Sequence, residues 1–206
     1  MTRTSGKLLT SDFRPGDSFA FLGRQWQSQL IARLSCPPFY WPEFRSILRR
    51  EPHWRFCSHF AMCCDYHSKT WLVESTTMCD QPCLYHGEPV SGVQAHYPSD
   101  RLQEYDGYVW RFRPAEGWRL SNDERSDLTK LIYHQFDDHY DLGGALRSVT
   151  DCPAIYREQV RFCSDLVATA YMRVGRLGLS NSKGYTPSGL AKTLVNNGNF
   201  EITRVK

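Results

Sequence analysis

The sequence lacks long apolar runs, a strong charge of one sign and any linker-like stretch. No segment has the roughly 20 consecutive apolar residues that a transmembrane helix needs, and no apolar signal-peptide core follows residues 1–7. The net charge of +3 is too small to indicate nucleic-acid binding. These absences predict a cytoplasmic protein that binds no nucleic acid and has no integral membrane segment.

The chain also lacks internal repeats, low-complexity segments and Gly/Ser-rich or Pro-rich linkers. Its 206 residues with 41% hydrophobic content predict one domain over 1–206, with a core at about 14–196 that can fold without disulfides. The eight cysteines are expected to be mostly reduced, because a chain of this size without a signal peptide is not a typical disulfide scaffold. The sequence gives no indication of the oligomeric state.

Short apolar runs and helical periodicities predict an α+β protein, in which an antiparallel sheet packs against helices. Strands are predicted at 17–22, 56–64, 70–75, 90–96, 108–112 and 200–205. Helices are predicted at 25–34, 123–139 and 187–195, and another begins near Cys163. Ser121 is the predicted cap of the second of these helices. The first helix has an apolar face that is expected to point inward, formed by Trp26, Leu30, Ile31 and Leu34.

Cys163 is the first candidate for chemistry. The apolar residues after it recur at three- and four-residue steps, which places it near the start of a helix. A catalytic cysteine attacks as the thiolate, and a helix N-terminus with a nearby imidazolium favours that form. The pattern therefore suggests a nucleophile, although free cysteine also occurs often as a small core residue.

His59 and Glu74 are the candidates that would serve such a nucleophile. Each lies in a short apolar run, and the polar segment 65–69 between the runs predicts a β-hairpin. Glu74 could then accept a hydrogen bond from one imidazole nitrogen of His59 while the other faces Cys163. A non-catalytic alternative is an ion pair between Glu74 and an arginine such as Arg111, since a buried carboxylate needs a partner.

At this point the sequence resembles a known family. The resemblance runs from about Arg14 to Asn196 and consists of five motifs in this order: Gly16-Asp17, Ser58-His59-x-Ala61, Val73-Glu74-Ser75, Tyr140-Asp141 and Phe162-Cys163-Ser164-x-Leu166-Val167. It is similar to the circularly permuted branch of the NlpC-type papain-fold cysteine hydrolases, which includes the YiiX-like proteins and is related to the lecithin retinol acyltransferases. The histidine precedes the cysteine, as in the permuted group, and Ala61 stands where glycine is common.

The resemblance implies a permuted papain-like fold with the nucleophile at a helix N-terminus. Cys163 would be the nucleophile, His59 the general base and Glu74 the residue that orients His59. The expected activity is hydrolysis of a peptide, isopeptide or other amide bond, without a cofactor, on a peptide, a cell-wall peptide or an acylated amine. Two alternatives stay open: an acyltransferase or lipid/ester hydrolase of the same fold, and a catalytically inactive binding or zinc-stabilised interaction module.

Three aromatic residues are candidates for substrate binding. A hydroxyl of Tyr140 or Tyr156 could help to bind an oxyanion. Trp41 belongs to a proline-rich aromatic loop that could form an apolar wall for a substrate, or that could simply pack beneath the loop.

Zinc binding is the rival chemistry. The segment Cys79-x3-Cys83-x2-His86 contains soft ligands, and further cysteines occur at Cys57, Cys63 and Cys64. Adjacent side chains on a strand face opposite ways, so Cys63 and Cys64 could not easily bind one ion. Because the spacing is not a tight paired motif, no metal site is assigned from the sequence.

Overall fold

The computed structural model describes residues 13–35, 52–141, 160–178 and 181–206. Within these residues the strands are β1 Ser18–Gly23, β2 His59–Tyr66, β3 Lys69–Thr76, β4 Gly92–His96, β5 Gly107–Pro114, β6 His139–Tyr140, β7 Val160–Arg161 and β8 Phe200–Arg204. The α-helices are α1 Trp26–Leu34, α2 Pro98–Glu104, α3 Asn122–Tyr133, α4 Cys163–Arg173 and α5 Pro187–Asn196.

The strands form one sheet in the order β7-β6-β4-β3-β2-β1-β5-β8. All neighbouring pairs are antiparallel except β6 and β7, which are parallel and only two residues long. The larger apolar cluster joins one face of the sheet to α3, α4 and α5, and a smaller cluster on the other face includes Leu102 of α2. The α+β prediction is therefore confirmed.

The hairpin of β2 and β3 brings the candidate base and its partner together. His67 and Ser68 form its turn, and both have positive φ, as a two-residue turn that matches the strand twist requires. The register pairs Ala61 with Glu74. His59, two residues before Ala61, therefore lies on the same face as Glu74 and diagonal to it, within reach of a long side chain.

The prediction for α1 was wrong about which face is buried. Trp26 is 70% exposed and Leu30 is 46% exposed, Leu34 is also exposed and Ile31 is half-buried. The inward face instead carries the small residues Ser28, Ala32 and Ser35. Small side chains at four- and three-residue steps let the helix approach the protein closely, and Ser35 hydrogen-bonds Ser188 of α5.

Helix α3 begins as predicted and ends earlier. Ser121 caps it in a complete capping box with Glu124. The helix ends at Tyr133, six residues before the predicted end at His139, and the chain then turns and enters β6. The final helix and strand lie within one residue of their predicted bounds.

The Gly16-Asp17 motif has a structural role in the described residues. Gly16 has a φ of +88° and turns the chain into β1, which few residue types other than glycine do readily. Asp17 is buried and accepts hydrogen bonds from the Arg113 guanidinium of β5. The Tyr171 hydroxyl donates to the Gly16 carbonyl at 2.9 Å, which fixes α4 against the start of β1.

Candidate functional site

His59 and Glu74 form a close hydrogen-bonded pair. His59 Nε2 lies 2.6 Å from Glu74 Oε2, and the Glu74 side chain is completely buried while His59 is 15% exposed. The sequence predicted this contact from the hairpin. Since Nε2 is occupied by the carboxylate, Nδ1 is the nitrogen that can serve another group.

Arg101 of α2 is the cation that holds Glu74. Its Nε lies 2.5 Å from Glu74 Oε1 and its Nη2 lies 3.2 Å from Oε2. Burial opposes ionisation of Glu74, but Arg101 and His59 outweigh it and hold the pKa of this carboxyl well below its usual range. The sequence suggested Arg111 as an example of such a partner, and that suggestion was wrong.

Cys163 is the first residue of α4 and is almost completely buried. Its side chain is close enough to His59 to affect the charge state of the ring. Burial disfavours the imidazolium, but the charge and hydrogen bond of Cys163, together with Glu74, raise the pKa of His59 to about 9. At neutral pH the site therefore favours an imidazolium between a carboxylate and the sulfur.

The start of α4 offers backbone donors beside the sulfur. Phe162 is the N-cap residue and provides no side-chain cap. The N–H groups of the first helical turn have no acceptor within the helix, and the helix dipole places partial positive charge there. A negative oxygen formed on a group bonded to Cys163 would find donors at this end.

Tyr140 is brought beside the site, as suggested from the sequence. The parallel pairing of β6 with β7 aligns Tyr140 with Arg161, two residues before Cys163. Burial, the charge of Cys163 and the nearby Asp141 all raise the pKa of Tyr140, so its hydroxyl stays protonated and can donate. The other two candidate substrate-binding residues, Trp41 and Tyr156, lie outside the described residues.

An open cleft contains His59 and Tyr140. Its remaining lining is mixed and comes from the end of β1, the start of α1, the end of β3, and α2 with the residues after it. Polar lining residues are Gln25, Ser28, Ser58, Thr76, Thr77, Glu104, Tyr105 and Asp106, and apolar ones are Ile31 and Met78. Arg101 and Tyr105 were not singled out from the sequence. The available signal was their four-residue spacing at a short helix that begins at Pro98 and ends just before Tyr105. This spacing places both side chains on one side of the helix, but it does not identify the strand that they face.

A second group of ligand-type atoms lies on the far side of Glu74. It consists of Glu74, Cys79 and His96. In the described part of the chain, no other set of three or more His, Cys, Asp or Glu side chains is arranged so that it could hold a metal ion. The loop spacing had suggested Cys79, Cys83 and His86. Instead, Cys83 Sγ accepts a hydrogen bond from the Ala95 N–H, and His86 Nε2 contacts the Phe136 carbonyl.

Cys57, Cys63 and Cys64 are buried away from that group, and they belong to the core. Cys63 and Cys64 contribute to different apolar clusters on the two faces of the sheet, as expected for neighbours on a strand. Burial raises the pKa of both thiols. Among the helices that the structure describes, none is both long and apolar enough to cross a membrane.

Comparisons with known proteins leave the function open. No protein-family model matches the chain, and no curated protein matches it. A solved structure that is similar is that of the metalloprotein yiiX (DUF1105) from Escherichia coli O157:H7, with 17% sequence identity and a TM-score of 0.49, over 81% of this chain and 68% of that one. The chemistry therefore has to be argued from the residues of this chain.

Proposed function

We propose that the protein is a cysteine hydrolase that cleaves a peptide, isopeptide or other amide bond through a thioester on Cys163. The observation that carries this proposal is that His59 Nε2 lies 2.6 Å from Glu74 Oε2 while the same ring interacts with Cys163 at the start of α4. The three side chains come from a helix and two strands, yet they meet in the order nucleophile, base and orienting carboxylate. A simple core cysteine requires no such alignment.

The reaction begins with attack of the Cys163 thiolate on the carbonyl carbon, which forms a carbon–sulfur bond. The resulting oxyanion is stabilised by the backbone N–H groups at the start of α4 and by the Tyr140 hydroxyl. His59, held as the imidazolium by Glu74, gives its proton to the leaving nitrogen, and the amine departs. His59 then takes a proton from water, which attacks the thioester and releases the acid and the thiolate.

The polar side chains in the cleft support an amide-type substrate. Serine, threonine and glutamine side chains outnumber apolar ones around His59 and Tyr140. Such groups can hydrogen-bond the N–H and C=O groups that flank a peptide or isopeptide bond, whereas an acyl chain would leave them without partners. A peptide, a cell-wall peptide or another acylated amine is therefore the preferred substrate class.

A second candidate function has its own observation. Helix α1 lines the cleft through Gln25, Ser28 and Ile31, and its outer side exposes Trp26 and Leu30. Exposed apolar side chains beside a site favour contact with an apolar substrate or a lipid surface. With such a substrate, the same Cys163 thioester would transfer or hydrolyse an acyl group of a lipid or ester.

A third possibility, from another class, is a binding module without catalysis. The His59–Glu74–Arg101 network would then serve only to fix β2, β3 and α2 together. A binding module would not require Cys163 to contact His59, so the hydrolase is preferred.

The test is to trap the acyl-enzyme. The protein is incubated with peptidoglycan peptide fragments, with acylated amines and with short lipid esters, quenched in acid and analysed by mass spectrometry. The proposal expects an acyl adduct on Cys163 that hydroxylamine removes, together with release of free amine, both lost in Cys163→Ala and retained in Cys83→Ser. Adducts from lipid esters alone would favour the second function. Absence of an adduct and of product with every class would contradict both enzymatic functions.

A further inference from the structure

The carboxylate that orients His59 also faces a cysteine and a second histidine. Cys79 lies in the loop between β3 and β4, and His96 is the last residue of β4. Cys79 Sγ, His96 Nε2 and a Glu74 oxygen all lie within 4.8 Å of one another, and all three residues are buried. His59 and Cys163 are not part of this group.

The distances between these atoms suit a tetrahedral metal. Cys79 Sγ lies 3.6 Å from His96 Nε2, and His96 Nε2 lies 3.7 Å from Glu74 Oε1. Zinc bonds to sulfur and to imidazole nitrogen at tetrahedral angles separate those two ligand atoms by about 3.5 Å, and nitrogen and carboxylate oxygen by about 3.4 Å. The two separations that involve His96 therefore differ from these values by only a few tenths of an ångström, and the sulfur and the Glu74 oxygen lie within 4.8 Å of each other.

The His96 ring faces more acceptors than a neutral imidazole can serve. Gln94 Nε2 donates to the Thr76 and Val90 carbonyls, which fixes its Oε1 toward His96 Nε2 at 2.9 Å. Glu74 Oε1 lies 3.7 Å from the same nitrogen and is a second acceptor beside it. A buried imidazole is ordinarily neutral and then carries a single N–H. This surplus of acceptors around a buried ring is a separate indication of a bound cation.

We propose that Glu74, Cys79 and His96 form a binding site for a soft divalent cation of the zinc type, with Gln94 Oε1 placed for the fourth position. A nitrogen, sulfur and carboxylate donor set is one that zinc accepts and that the hard cations do not favour. On binding, the Cys79 thiol loses its proton to solvent and the proton on His96 Nε2 moves to Nδ1, so that the ion can bond to the sulfur and to Nε2. No oxidation or reduction takes part.

Arg101 is compatible with this site. It bonds Glu74 Oε1 from another direction, and a carboxylate oxygen has lone pairs for two partners. The two anionic ligands, Glu74 and the Cys79 thiolate, balance the charge of the ion, so the arginine faces a neutral metal cluster.

The ion would tie the β3–β4 loop to two strands and would share Glu74 with His59. The site shares Glu74 with the proposed hydrolase chemistry, but it can be tested separately, because neither Cys163 nor His59 is a ligand. A protein without hydrolase activity could still bind the ion, and an active hydrolase could lack it.

The experiment is a titration of the chelator-treated full-length protein with Zn²⁺, and with Co²⁺ as a spectroscopic probe. We expect one ion per chain, a sulfur-to-cobalt charge-transfer band and release of a proton on zinc binding. Cys79→Ser should abolish the band, and both Cys79→Ser and His96→Gln should weaken Zn²⁺ binding by at least about tenfold. The matched controls Cys83→Ser, His86→Gln and Cys163→Ala should keep the affinity and the band.

A measurement on the unmodified protein covers the case in which a variant does not fold. Zn²⁺ should slow the alkylation of Cys79, quantified by mass spectrometry, without slowing that of Cys83. The proposal is overturned if no ion binds at stoichiometric concentration, if Cys79 is not protected, or if the band persists in Cys79→Ser. It is equally overturned if Cys163→Ala removes the band, since the ion would then lie between Cys163 and His59.

Discussion

At the scale of single residues, Glu74 is the centre of the site. It is a fully buried carboxylate, which would be costly without compensation. Both oxygens are satisfied, because Arg101 bonds them and His59 adds a charge-assisted hydrogen bond. The Arg101 bonds fix the carboxylate, and the fixed carboxylate in turn holds the ring of His59.

Replacing Arg101 by methionine should therefore leave a buried charge without its main partner. We expect Arg101→Met to lower the free energy of unfolding by about 3–5 kcal/mol in urea titrations at neutral pH. The double variant Arg101→Met/Glu74→Gln should lose less, because it removes the stranded charge as well.

Arg24→Met is the matched control for that experiment. Arg24 pairs with Asp106 at 3.6 Å, but both side chains are about 65% exposed. Its removal should change the stability by less than about 1 kcal/mol. An Arg101→Met protein no less stable than this control would contradict the role given to Arg101.

Tyr140 gives a second residue-scale prediction. Tyr140→Phe removes a hydroxyl that we propose stabilises the oxyanion, so kcat should fall by about 100-fold. Alkylation of Cys163 forms no oxyanion and should keep its rate. An unchanged kcat would remove Tyr140 from the mechanism, and a parallel fall in both rates would show instead that the variant disturbs Cys163.

At the scale of elements, local signals were informative where the determining contacts are local. The polar segment between two apolar runs predicted the β2–β3 hairpin, and Ser121 predicted the start of α3. The α1 prediction failed because periodicity identifies residues that share a face but not the face that packs. Here the side of the helix that carries the small residues Ser28 and Ala32 packs against the rest of the protein, while Trp26 points outward.

The contact between β2 and α4 has a consequence for stability at alkaline pH. The pKa of His59 is raised from 6.5 to about 9, so its contribution to stability is complete below about pH 6.5 and is lost as the pH rises through 9. We expect a loss of at most about 3 kcal/mol over this range.

Cys163→Ala isolates that contribution. It removes the sulfur charge and leaves Glu74 to hold the imidazolium, so the loss of stability should begin at lower pH than in the parent protein. Urea unfolding at several pH values between 6 and 10 measures the difference, and Cys83→Ser serves as the control. Identical pH profiles for Cys163→Ala and the parent would show that Cys163 does not stabilise the charged ring.

At the scale of the whole molecule, topology determines which distant residues meet. The pattern of motifs placed Cys163 with His59 although they lie 104 positions apart in the chain. It could not identify Arg101, because nothing local links α2 to β3. Arg111, suggested instead, lies on β5, three strands away from β3 in the sheet and thus roughly 14 Å from it.

The zinc ligands show the same limit. Spacing along the loop grouped Cys79 with Cys83 and His86, whereas the fold brings Cys79 to His96 of the next strand and to Glu74. Cys83 and His86 turn to the Ala95 N–H and the Phe136 carbonyl. When ligands come from neighbouring strands, the strand register determines which residues meet. The spacing of residues within one loop gives no information about that register.

The most direct test of the central claim is the pH dependence of iodoacetamide alkylation at each of the eight cysteines, resolved by mass spectrometry. The account predicts that Cys163 reacts fastest below neutral pH. It also predicts that His59→Ala slows it at least about tenfold at pH 6 and that the control His86→Ala does not. A Cys163 that reacts no faster than an ordinary thiol, or whose rate is unchanged in His59→Ala, would contradict the proposed thiolate–imidazolium pair.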